Sequence, residues 1–371
     1  MKNVAWVIFA QAASSQKQRL MYFTALSIGY AVPRTDFDAA VHSVFKSAIN
    51  LCLTRGGKLL TLVASSEADL PQGIRVDSPA DFSFEIFRAG EPVTCWDDIL
   101  RFGPLTIELR GARPWKCDLP SLQADMTNPA VAAAWGSVWQ ALNKRQIQSN
   151  AEIIVDDICH CEEGVLSDEA IPSQLLPKIL HENRRLLRRN LRSSQRHHST
   201  TQTNVSRKAV EAMRELVTAT RRYELTDNSA VKSLIGLGSG LTPSGDDLLV
   251  GYLAGLWCAV LDKSERTQSV SNLGKAVVRL SRQTNDISRT YLFHAVRGQI
   301  SSRLADLAEV ICHGENSDDL RVAAESAMQV GHTSGMDAVT GMLIGLTAWS
   351  SPDALASTSI RTIQPNHPPA R

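Results

Sequence analysis

Two stretches ninety residues apart carry one pattern without a gap. Ser244-Gly-Asp-Asp-Leu-Leu-Val-Gly-Tyr-Leu-Ala-Gly-Leu256 aligns with Ser334-Gly-Met-Asp-Ala-Val-Thr-Gly-Met-Leu-Ile-Gly-Leu346, sharing S-G-x-D-x-x-x-G-x-x-x-G-L. Residues four apart lie on one helix face, and small residues there let two backbones approach closely. If Gly251 and Gly255 face Gly341 and Gly345, the two helices pack tightly. If the two helices also cross near their starts, both N-termini open on one pocket. Around it stand the carboxylates of Asp246, Asp247 and Asp337 and the hydroxyls of Ser244 and Ser334. Helix N-termini favour anions, whereas clustered acids favour Mg²⁺ or a carboxyl that keeps its proton. The two features together point to a ligand-bearing site.

The first copy follows a glycine-rich run, Ile235-Gly-Leu-Gly-Ser-Gly-Leu-Thr-Pro-Ser244. Familiar loops do not fit it. Gly240 to Gly245 has P-loop glycine spacing but carries Asp246 where the lysine belongs. Gly236-Leu-Gly-Ser-Gly240 is neither a dinucleotide fingerprint nor a nucleophile elbow. The groups expected to hold an anion are Gly238, Gly240, Thr242, Ser244, Gly245 and Asp246 in the first copy, and Ser334 and Gly335 in the second. Asn285 and Ser288 join them from the helix between the copies, which Asn285 or Asp286 would cap.

The fold class expected is α+β. Residues 1–127 should form a β-rich barrel or sandwich, and 128–206 connecting helices with a polar, Arg-rich linker. Residues 207–350 should form a helical domain carrying the repeat of glycine-rich helix starts, and 351–371 a flexible tail. Strands are expected at Val4–Phe9, Met21–Val32, Lys58–Val63, Ile74–Val76, Phe82–Phe87 and Leu105–Leu109, with Phe37–Leu53 a short helix or a strand.

Composition narrows the function classes. A net charge of +1 over 371 residues gives no electrostatic case for nucleic acid or a membrane surface. No stretch reaches the roughly 18 apolar residues of a bilayer span, and Val4 to Ala10 reads as a first strand rather than a secretory signal. Seven scattered cysteines do not describe a disulfide framework, which suits a reduced, cytoplasmic protein. Cys159-His160-Cys161 lacks the second ligand pair of a structural zinc site and reads as an acidic loop. The arginines from Arg184 to Arg196 read as a solvated helix end, with no aromatic interleaving for RNA.

The glycine motif from Leu234 to Gly251, Thr284–Ser288 with Ala295 and Gly298, and Gly331-His-Thr-Ser-Gly-Met-Asp337 resemble the AllH-like family. Ser239 stands where that family more often has Pro. The resemblance is carried by about residues 205–350 and extends over the β-rich first part. It implies a subunit of oxamate carbamoyltransferase in allantoin breakdown, a part of purine catabolism and nitrogen metabolism. That enzyme exchanges carbamoyl phosphate and oxamate for oxalurate and phosphate. It further implies a multi-subunit assembly with an acyl-CoA-synthetase-like partner. The pocket suits such a reaction, whose substrates and products are anions. His332 is the natural general acid/base, since imidazole titrates near neutral pH. Asp247 and Asp337 would orient it or bind a cation; no cofactor is assigned, and Mg²⁺ is the candidate the acids suit. Two alternatives remain open: a non-catalytic structural subunit, and a metal-dependent hydrolase of a small amide or phosphate ester.

Overall fold

The computed structural model describes residues 20–148, 200–224, 228–314, 317–331 and 333–350. The expected strand Val4–Phe9, the Cys159–Cys161 loop, the Arg184–Arg196 run, His332 and the tail 351–371 lie outside the described residues. Two compact units emerge. One holds the described residues up to Glu67 with Gln72–Pro114; the other holds Ala68–Pro71 and the described residues from Trp115 onward.

The first unit is a closed β-barrel of eight strands: β1 (Met21–Gly29), β2 (Phe37–Val44), β3 (Ala48–Leu53), β4 (Leu59–Val63), β5 (Gly73–Val76), β6 (Pro92–Trp96), β7 (Ile99–Phe102) and β8 (Leu105–Glu108). Neighbours run in the order β5-β4-β3-β2-β6-β7-β8-β1, and a β1–β5 pairing closes the ring. The strand β1 makes the corner. Its first half pairs in parallel with β8, and its second half pairs antiparallel with β5. A register shift between Ala25 and Ser27 lets the strand bend from one partner to the other. A ninth short strand, β9 (Arg113–Trp115), lies beside β1. The interior is aliphatic, with Ile49, Leu51, Leu62, Ile74, Leu100 and Ile107 all buried.

Of the two architectures open to the β-rich part, the barrel is the one formed, and Phe37–Leu53 resolves into two paired strands. Phe82–Phe87 is not a strand. It holds a single 3₁₀ turn, Phe84–Ile86, whose Ser83 side chain accepts from the Glu85 amide. The phenylalanines give the alternation that imitates a strand, but they are spent on edge-to-face packing of Phe82 against Phe23 and Phe84. The β6–β7 hairpin has no glycine to announce it. Its turn is Asp97-Asp98, both at positive φ (52° and 59°), a conformation that aspartate adopts more readily than most residues.

The second unit contains nine helices among the described residues: α1 (Pro129–Gln148), α2 (Thr200–Arg221), α3 (Ser229–Leu234), α4 (Ser244–Cys258), α5 (Ser264–Leu280), α6 (Asp286–Ala295), α7 (Ser302–His313), α8 (Ser317–Met328) and α9 (Ser334–Leu346). Among the described residues no helix is long and apolar enough to cross a membrane. The helices α4 and α9 are apolar nearly all round and form the centre, as helices without a polar face must. They make the most extensive helix–helix contact of the unit.

That contact is backbone on backbone, and it is reciprocal. A Cβ at Gly251 would collide with the Ala338 carbonyl, and one at Gly341 with the Leu248 carbonyl. Likewise Gly255 abuts the Met342 carbonyl and Gly345 the Tyr252 carbonyl. Each member of these pairs lies ninety residues from its equivalent, so the sequence repeat is a local pseudo-twofold in space.

Neither helix can retreat without opening the core, so Gly251→Ala should destabilise the chain by ~3 kcal/mol or more. The control is Gly136→Ala in α1, where nothing lies within 4 Å of the added methyl and helix propensity favours alanine by ~1 kcal/mol. Urea unfolding of both checks this; equal stability of the two variants would remove the close-packing argument.

Candidate functional site

The pseudo-twofold places the two helix starts together. Asp247 and Asp337 occupy the same first-turn position of α4 and α9. The Ser334 hydroxyl at the start of α9 and the Thr242 hydroxyl bond to Asp247. The Ser244 hydroxyl at the start of α4, with that of Thr333, bonds to Asp337. Thr242 and Ser334 also bond one another across the copies, oxygen to oxygen at 2.7 Å. Each carboxylate is thus held by the serine of the opposite copy.

Each also has one oxygen left over. Asp247 Oδ2 and Asp337 Oδ2 are both buried and have no hydrogen-bond partner among the described residues. Such groups are rare in folded proteins and costly to maintain. Burial raises the Asp247 carboxyl well above its ordinary range. The hydrogen bond from Ser334 opposes that rise, and the nearby charge of Asp337 adds to it. Burial pushes Asp337 up to about 6, against its hydroxyl partners. Burial raises both acids and the charge of Asp337 raises Asp247 further, so of the two Asp247 is the one that favours its protonated form.

The third acid, Asp246, is differently employed. Its Oδ1 accepts from the Gly236 amide at 2.8 Å, and its Oδ2 accepts from the Thr284 hydroxyl at 2.5 Å. Ser288 also bonds to it. Burial raises it as well, opposed by those bonds. Asp246 ties the glycine-rich run to the loop before α6. Expected to face the ligand, it acts as an anchor because both its oxygens are engaged by its own surroundings. Thr284 and Gly236 complete that anchor. Nothing in the spacing marked them, since the contact depends on how the glycine run folds back.

The remaining residues divide similarly. Asn285 caps α6, its Oδ1 accepting from the Ile287 and Ser288 amides at 3.0 Å each. Ser288 donates weakly to the Leu241 carbonyl at 3.4 Å and is buried. The amides of Gly245 and Gly335, expected as anion donors, are already donated to the Leu237 and Val330 carbonyls at 2.8 and 2.9 Å. These glycines are needed for a different reason. A Cβ there would strike the Leu234 carbonyl in one copy and the Ala327 carbonyl in the other. Gly238 (φ 118°) crosses over the start of α4, where a Cβ would lie 2.8 Å from the Ser244 amide. Gly240 (φ 94°) is exposed, with open space around it. His332 lies outside the described residues. Among the described residues no group of three or more His, Cys, Asp or Glu is arranged to hold a metal.

The family described as oxamate carbamoyltransferase subunit AllH matches residues 234–346. The AllH family N-terminal domain matches residues 24–114. The two matches cover the whole repeat and nearly all of the barrel. No solved structure matches the chain.

The buried carboxyls make a prediction about stability. Asp337 binds its proton more tightly in the folded chain than in the unfolded one. Stability is therefore fullest below the unfolded carboxyl's range, near pH 4, and is lost as pH rises toward about 6. Asp337→Asn removes that loss. At pH 7 the variant should be more stable than the parent by ~2 kcal/mol, and the two should converge below about pH 4. Denaturant midpoints across this pH range test it. A variant less stable than the parent at pH 7 would show that no carboxyl is held there against its solvation.

Proposed function

The chain belongs to the AllH family, and from that membership we propose that it is a subunit of a carbamoyltransferase whose small-anion pocket lies between the starts of α4 and α9. The reaction proposed is transfer of a carbamoyl group between carbamoyl phosphate and oxamate, with oxalurate and phosphate on the other side. The observation that carries this reading is the pair of buried carboxylate oxygens, Asp247 Oδ2 and Asp337 Oδ2, which have no hydrogen-bond partner among the described residues. An unmet acceptor or donor at the mouth of two helices is what a bound substrate would complete.

The chemistry follows from the groups present. In the direction that forms oxalurate, the oxamate amide nitrogen attacks the carbamoyl carbon. Its proton must leave, and the carbon–oxygen bond to phosphate must break. A carboxyl pair that shares one proton can serve both needs: its ionised member takes the amide proton, and its protonated member donates to an anionic oxygen. A protonated carboxyl also tolerates an anion where two carboxylates would repel it. The hydroxyls of Thr242, Ser244, Thr333 and Ser334 ring the same space. The first amide of each helix, at Ser244 and Ser334, has no partner inside its own helix. Together these can stabilise charge on a tetrahedral carbon. His332, aligned by the repeat with Thr242, is proposed as a further general acid/base.

A family of subunits works within an assembly. We place this chain beside other subunits, an acyl-CoA-synthetase-like protein among them, in cytoplasmic allantoin breakdown. A second reading rests on the same two oxygens: Asp247 and Asp337 could bind Mg²⁺ along with substrate phosphate, since that ion needs only one or two protein carboxylates.

Turnover by the complex assembled with its partner subunits separates these readings. With carbamoyl phosphate and oxamate as substrates, Asp247→Asn should cost ~100-fold or more in kcat. Full turnover in the variant would mean that the chain serves the assembly structurally. Activity that survives prolonged chelation supports the shared proton, and activity abolished by chelation and restored by Mg²⁺ supports the cation.

A further inference from the structure

A second ligand-sized feature sits at the opposite end of α4. An open groove of about 730 Å³ is bordered by α5, by Trp257 at the end of α4, and by Val296 and Arg297 just after α6. Trp257 lies thirteen residues along the helix from Ser244, roughly 20 Å away at about 1.5 Å per residue, so the groove is separate from the carboxylate pocket.

Its lining is one-signed. Lys275, Arg279, Arg282 and Arg297 all border it, and no acid does. On α5, Lys275 and Arg279 are four apart and share a face, which would cost repulsion unless something answers the charge. Lys275, Arg279 and Arg282 form no ion pair among the described residues. Arg297 lies over the Phe293 ring at 3.6 Å, an arrangement that orients the guanidinium without neutralising it.

The floor differs from the rim. Trp257, Val278 and Val296 supply apolar surface, and Gly274 leaves Val296 close by, since a Cβ there would lie 3.2 Å from it. The indole Nε1 of Trp257 is buried and its Cγ–Cδ1 edge packs beside Gly298, so the part of Trp257 that borders the groove is ring surface. A cationic rim of four over an apolar, aromatic floor describes a ligand with several negative charges and a flat ring. The volume fits a whole small molecule of drug size rather than a lone inorganic anion.

We propose that this groove binds a nucleoside polyphosphate, with the phosphates against Lys275, Arg279, Arg282 and Arg297 and the base over Trp257. The proposal is independent of the carbamoyl-transfer reading, because it concerns other residues and its test needs no turnover.

Calorimetric titration of the full chain with ATP, adenosine, tripolyphosphate and poly-glutamate tests it. ATP should bind one per chain, more tightly than adenosine or tripolyphosphate. The Arg279→Ala, Arg282→Ala double variant should weaken ATP about a hundredfold, roughly tenfold for each charge-assisted hydrogen-bonding side chain removed. Both side chains are exposed, so the variant should keep its thermal midpoint. Trp257→Leu, which removes the aromatic face and keeps an apolar side chain, should weaken ATP and leave tripolyphosphate unchanged. The proposal is overturned if ATP does not bind, or if the double variant binds it undiminished. Tripolyphosphate binding as tightly as ATP would reduce the groove to a polyanion patch, and poly-glutamate binding more tightly than ATP would make it a docking face for an acidic protein. Either result rejects the nucleotide.

Discussion

The helical unit depends on one contact, the bare backbone of α4 against that of α9. Four glycines make it, and each excludes a methyl group that would collide with a carbonyl of the opposite helix. Glycine in a helix costs about 1 kcal/mol relative to alanine, so four of them in two central helices are a substantial loss of local preference. Burial compensates. Leu248, Leu249, Tyr252, Leu253 and Leu256 on one helix, and Val339, Met342 and Leu343 on the other, are almost fully buried around the contact. Close approach at the glycines lets the larger side chains beside them pack on both flanks.

The same approach has an electrostatic consequence. Helices that touch along their length carry their first turns into proximity, and both first turns bear an aspartate. Burial raises the cost of ionising both Asp247 and Asp337 in a place where water cannot help, and the charge of Asp337 adds to it at Asp247. A packing device alone would be served better by Asn or Ser at these positions. Folding tolerates such strain where a ligand later repays it, which is why the unsatisfied oxygens weigh more than the number of acids nearby.

Much of this was legible in the sequence because it depended on spacing. Helical period four and a gapless repeat decide which glycines face which, and the backbone contacts fall at Gly251, Gly255, Gly341 and Gly345. The helix start at Ser244 followed from its local signals and that at Ser334 from the repeat, while of the two candidate caps between them Asn285 is the one used. What spacing could not disclose was the destination of a polar group. Asp246 and Asp247 are neighbours of one type, yet one is fully engaged by Gly236 and Thr284 while the other keeps a bare oxygen. That difference is set by a loop with glycines at positive φ at 236, 238 and 240, whose course no periodicity describes. The barrel shows the same limit. Strands in alternating segments were visible, but the Asp97-Asp98 turn used left-handed aspartates where glycine or asparagine would have been the signal. The Phe82–Phe87 run spent its alternation on ring packing.

The two copies of the repeat can be compared residue by residue, and their differences sort by role. Serine, glycine, aspartate and the paired glycines are common to both, and these are the groups that make the helix contact and the facing carboxyls. Where they differ, each copy answers to its own surroundings. Asp246 in the first anchors the glycine run, whereas its counterpart Met336 is buried in the apolar core, because no such run precedes the second helix. Thr242 and His332 differ likewise, and the hydroxyl of Thr242 reaches across to Ser334. A duplicated packing unit would satisfy both copies alike. This one retains in common a pair of acids that packing does not need, and changes the residues by which each half is fastened in place. That division is what the pocket proposed at the pseudo-twofold requires, since each half contributes one of the two unsatisfied carboxyls.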